Sequence, residues 1–239
     1  MNFFNENSRL ADIIDTNHLL LPVINRLGIK LGFENQTIKQ ACKKQNLDLK
    51  FFIEIINVFH NENYFPEKKL LHFPVLLVID YLKETHKYYI EYIIHETDRL
   101  IEKLLNNNVH PENEIIRKFY IKYKEELISH IGFEEQKVFP YILMLDSTTD
   151  SDNHKKSFLN KYKNYTITNF EDEHSNIDEK VNDLKNIIIK YLPPDYNIHI
   201  GNALLSTLIL FEKDLKSHTR IEDKILIPKV KILEKKAGR

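Results

Sequence analysis

The chain has 239 residues, and its 34 Lys and Arg nearly balance 35 Asp and Glu. A formal net charge of −1 gives no support to a nucleic-acid footprint, so no nucleic-acid partner is expected. Hydrophobic residues at 42% and charged residues at 29% are ordinary for a soluble globular protein, and no apolar run approaches the roughly 20 residues of a membrane span.

The opening segment, from Met1 to Arg9, lacks the long apolar core of a signal peptide. The single cysteine, Cys42, excludes an internal disulfide framework and suits a reducing compartment, so a cytoplasmic location is expected. With only 5 glycines and 8 prolines, the chain should form long uninterrupted helices. Residues 1–66 read as a small helical module. Apolar positions from Asp12 to Gly28 suggest a helix that Pro22 splits or kinks and Gly28 stops. Thr37 is a candidate N-cap for a short helix through Cys42, and Asp48 for another with Phe51, Phe52, Ile55, Ile56 and Phe59 inward. The turn-forming stretch 61–67 is the expected boundary.

From residue 70 on the texture changes. Four amphipathic stretches run at roughly 74–106, 112–145, 155–191 and 197–235, joined by short polar or proline-bearing breaks. A helix of about 33 residues spans roughly 50 Å at 1.5 Å per residue. Four such helices with short loops predict an all-α fold, an antiparallel up-down-up-down four-helix bundle over 70–239 behind the N-terminal module.

The bundle carries a repeat. His130 with Glu134 and His218 with Glu222 are related by an offset of 88 positions (218 − 130, 222 − 134), and His86 with His174 and Pro140 with Pro228 keep it. Residues four apart on a helix face the same way, so each His–Glu pair offers a nitrogen and a carboxylate to one point in the core. His86 and His174 add one imidazole each. Four imidazoles and two carboxylates suit two metal ions with bridging carboxylates and open positions. Two divalent ions bring four positive charges, which two glutamates and a bridging oxide or hydroxide largely offset. Such ligation suits iron, zinc, copper or nickel more than magnesium or calcium, and iron is favoured by analogy with di-iron bundles. Glu135 and Asp223, one residue beyond the paired glutamates, point elsewhere on an α-helix and are set aside. Asp178, four after His174, is expected as an outer hydrogen-bond acceptor or a solvated residue. Tyr88, Tyr89 and Tyr92 are expected in the core or at its rim, with one of them a candidate donor to a bound ligand.

These motifs are His86-Lys-Tyr-Tyr, the run from Ser129 to Pro140, Glu173-His174 and the run from His218 to Pro228. The bundle that carries them resembles hemerythrin-like cation-binding domains, and the whole arrangement resembles the RIC (repair of iron centres) family of di-iron proteins. The resemblance implies that His86, His130, His174 and His218 are terminal ligands and that Glu134 and Glu222 bridge two non-haem iron ions with an oxide or hydroxide. It further implies binding or reduction of nitric oxide or dioxygen, a role in nitrosative and oxidative stress, and repair of iron–sulfur proteins. A non-enzymatic sensor or carrier, or an iron storage or delivery protein, is the alternative. A monomer or homodimer is expected. The segment from Leu27 to Ile38 resembles the part of the family's module that carries adjacent cysteines. Leu31, Gly32 and Phe33 stand there instead, so a folding or docking role is expected of it.

Overall fold

The computed structural model describes residues 3–105, 110–149, 152–173 and 177–238. Among these the protein is all-α, with one isolated bridge between Arg9 and Thr37 and no strand. It divides into two compact units, Met1–Thr85 and His86–Arg239, and the division falls within a helix.

The first unit holds α1 (Leu10–Thr16), α2 (Leu20–Arg26), α3 (Ile38–Gln45), α4 (Leu49–His60) and α5 (Glu67–Leu70). The break between α1 and α2 comes ahead of Pro22, at Asn17–Leu19, where the Asn17 side chain accepts from Leu19 N. Pro22 lies instead in the first turn of α2, where its missing N–H costs nothing. Gly28, at φ 91°, supplies the left-handed residue just beyond α2. Thr37 and Gln40 cap α3 reciprocally, and Asp48 caps α4 by accepting from Phe51 N at 2.9 Å. The inward face of α4 is buried as its spacing requires: Phe51, Phe52, Ile55, Ile56 and Phe59. Asn57 ties down the segment before α1 by exchanging two hydrogen bonds with the Phe4 backbone.

Next come α6 (Val75–Tyr88), a π-helical stretch over Tyr89–Ile94 and α7 (His95–Leu105). Then α8 (Pro111–Phe133) leads through a π turn at Glu134–Val138 into α9 (Phe139–Asp146). After a 3-10 turn at Ser147–Thr149 follow α10 (Asp152–Lys161), α11 (Ile167–Glu173) and α12 (Ile177–Tyr191). Last, α13 (Ile198–Ile221) leads through a π turn at Glu222–Leu226 into α14 (Ile227–Ala237). Within the second unit α7, α8, α12 and α13 each pack on the next and close a ring, which is the four-helix bundle. Its interior is filled by side chains such as Leu100, Ile116, Val181, Leu184, Leu204 and Leu208. Beyond the π turns, α14 packs on α9 and α11, and α10 on α9.

The third stretch is not one helix. It breaks at residues 162–166, and the start of α11 is fixed partly from outside: Asn169 in its own first turn accepts from Thr166 N, and Ile167 N donates to the buried Glu234 of α14 at 2.8 Å.

Candidate metal centre

The offset of 88 is a structural repeat as well as a sequence one. The π turns Glu134–Val138 and Glu222–Leu226 correspond residue for residue under it, as do the ends of α8 and α13 and the starts of α9 and α14. In each turn the next residue's N–H bonds five residues back: Phe139 N to Glu134 O and Ile227 N to Glu222 O. A proline follows each of these two turns and favours it, although the π stretch Tyr89–Ile94 has none. Pro140 and Pro228 have no N–H for the carbonyl four residues back, and their rings would collide with it, so the helix widens there by one residue.

The widened turns bring four side chains together. One donor atom each from His86, Glu134, His218 and Glu222 lie mutually within 4.8 Å, and all four residues are buried. His86 Nε2 stands 3.1 Å from Glu134 Oε2 and 3.3 Å from His218 Nε2, and His218 Nε2 stands 2.9 Å from Glu222 Oε1. His130, with a side chain 14% exposed, places Nε2 3.5 Å from Glu134 Oε1. His174 lies outside the described residues. Asp178 is not among the converging residues; its charge acts on Tyr123.

These separations have the scale of a coordination sphere. Two nitrogens or oxygens bound at right angles to one ion, each at about 2.1 Å, sit roughly 3 Å apart. Although His86 Nε2 and Glu134 Oε2 are close, they are not aligned as donor and acceptor, and both Glu134 oxygens lack a hydrogen-bond partner. A fully buried carboxylate so placed is costly without a cation. Burial and the facing Glu222 carboxylate push the Glu134 carboxyl above its ordinary range. Burial alone would lower the His86 imidazole, but Glu134 and Glu135 outweigh it and raise it. The donor set of two imidazoles and two carboxylates, with a third imidazole adjacent, fits a transition-metal ion rather than calcium or magnesium.

Further side chains surround these donors, among them Glu135, which α-helical spacing had set aside. Glu135 Oε1 lies 3.1 Å from His86 Nδ1, and the Phe139 ring stacks on the His86 imidazole at 5.5 Å and 9°. Tyr89 is fully buried, meets the His218 ring edge-on at 5.6 Å and donates to Asp214 Oδ2 at 2.7 Å. Tyr88 and Tyr92 stack on each other, with Tyr92 at the surface. His95 is exposed, and His60 is buried in the first unit against Phe4.

Comparison with known proteins agrees with this geometry. The model of the hemerythrin HHE cation binding domain matches residues 77–230. The iron-sulfur cluster repair protein ScdA of Staphylococcus haemolyticus (strain JCSC1435) is 22% identical over 234 residues, covering 93% of this chain and 97% of that protein.

Proposed function

Because the chain belongs to the hemerythrin HHE cation-binding domain family, as a RIC-like member, we propose that it is a non-haem di-iron protein of the stress response that binds or reduces nitric oxide or dioxygen and serves the repair of iron–sulfur proteins. One observation carries this reading: the buried convergence of His86, Glu134, His218 and Glu222 at donor-to-donor distances of coordination scale. In it His86, His130, His174 and His218 are terminal ligands, and Glu134 and Glu222 bridge. Residues 1–66 act as a docking module in the cytosol and 70–239 as the metal-binding bundle.

A bound di-iron pair would supply one-electron redox chemistry and an open position for a diatomic. The protein's own contribution is to hold the ligands in a dry, preshaped core. With more imidazoles than carboxylates, the ligand set adds little negative charge, which favours the ferrous state over high-valent ones. Reversible sensing or carriage is the second reading. It is favoured by the first unit, where Leu31, Gly32 and Phe33 offer no thiol and Cys42 is buried.

The test is elemental analysis of protein produced with iron, together with its visible spectrum and rapid mixing of the reduced form with nitric oxide. About two irons per chain, oxo-bridge absorption and a spectral change within seconds are expected. Zinc or manganese in place of iron would remove the redox function, and no metal at all would remove the whole reading.

A further inference from the structure

A neutral imidazole that binds a cation through one nitrogen must carry its proton on the other, and what that proton meets decides how the ring is aimed. For His86 the geometry separates the two roles. Nε2 faces the cluster, 3.1 Å from Glu134 Oε2 and 3.3 Å from His218 Nε2. Nδ1 faces away, 3.1 Å from Glu135 Oε1. Adjacent residues therefore reach opposite edges of one ring. Neighbouring residues diverge by about 100° on a regular α-helix, and here Glu134 reaches the ring from within the core while Glu135 reaches it from a partly exposed position. Phe139, the first residue past that turn, lies flat against the ring at 5.5 Å.

We infer that Glu135 is a positioning residue: it accepts the His86 Nδ1 proton, fixes the tautomer that presents Nε2 to the metal centre, and with Phe139 locks the plane of the ring. The inference rests on the metal-site reading above. It also marks a difference between two ligands of one centre. His218 is contacted at Nε2 by Glu222, but its Nδ1 makes no hydrogen bond. Glu135 is 41% exposed on its side chain, so it can be replaced without opening the core.

The experiment compares the full-length protein with its Glu135→Ala and Glu135→Gln variants, using zinc alone as the probe. Zinc affinity by chelator competition should fall 10- to 100-fold in Glu135→Ala, the range that outer carboxylates command. It should stay within about threefold of the wild type in Glu135→Gln, whose amide oxygen still accepts from Nδ1. The zinc-loaded wild type and Glu135→Gln should show a protected Nδ1–H resonance for His86 by nitrogen-edited NMR, and Glu135→Ala should lose it.

Equal affinities in all three proteins would overturn the inference. So would a Glu135→Gln variant as weak as Glu135→Ala, since that outcome assigns Glu135 a role of charge alone. A metal-free readout separates this inference from the proposed function. Nuclear Overhauser contacts between the His86 and Phe139 rings should persist in the wild type and Glu135→Gln and weaken in Glu135→Ala. A wild type that takes up no zinc would defeat the metal reading, and these ring contacts, if identical in all three proteins, would defeat the positioning role.

Discussion

Residues 130–140 and 218–228 trace the same path: the last turn of a long helix, a π turn opened by a glutamate, and a proline-led helix beyond it. Their inward His and Glu side chains match, yet what surrounds them does not. The first segment offers Glu135 and Phe139 to a histidine from another helix. The second has Asp223 and Ile227 at the corresponding positions. In the first segment the His–Glu pair stands 3.5 Å apart with His130 partly exposed; in the second it stands 2.9 Å apart and buried. The contrast shows which parts of a duplicated site are bound by chemistry. In the proposed metal-site reading, donor type and backbone widening recur because a shared centre needs both; the side chains that flank the donors differ between the copies.

The strongest challenge to that equivalence is to remove one carboxylate at a time. Glu134→Gln and Glu222→Gln should each weaken metal binding by about 100-fold and release both ions together, with helicity by circular dichroism unchanged. A variant that keeps one ion tightly bound would mean that each glutamate serves its own metal. Next in size are the prolines. Pro140→Ala and Pro228→Ala restore an N–H that can bond four residues back, letting the π turn relax toward α. Pro140→Ala should cost about 30-fold in metal affinity, because it also withdraws Glu135 and Phe139 from His86, and Pro228→Ala about tenfold. Equal losses in a metal titration would show that the bracing of His86 adds nothing.

The smallest effect is expected outside the bundle. Burial, with a lesser contribution from Asp48, pushes the Cys42 thiol up to about 11. At pH 8 roughly one thiol in a thousand is then ionised, and alkylation of the native protein should be slow and rise about tenfold per pH unit. Rapid labelling at pH 8 would restore a thiol role to the first unit.

Much of this was legible in the sequence because its signals are local. Thr37 and Asp48 announce caps, the inward face of α4 follows helical spacing, and the 88-residue offset pairs His and Glu side chains that must share a face. Two features were not legible because their causes are tertiary or sit between standard helix types. The break at 162–166 contains neither glycine nor proline; the N–H groups of the new helix are received in part by Glu234, 67 positions away. Glu135 was set aside on α-helical angles, which the π turn does not obey. The prolines that follow the two turns were visible as a repeat, but the widening of the helix there was not. His174 lies outside the described residues.

Glu234 also sets an order of events. It sits on α14, receives the N–H that starts α11, and accepts from the buried hydroxyl of Tyr141 on α9. A chain emerging from the ribosome makes the start of α11, at Ile167, 67 positions before it makes Glu234, so that start stays incompletely anchored until α14 has been made. Glu222 arrives only shortly before. The pocket therefore cannot close until the second half of the repeat has been made, and a cation held by all four donors would have to wait for it.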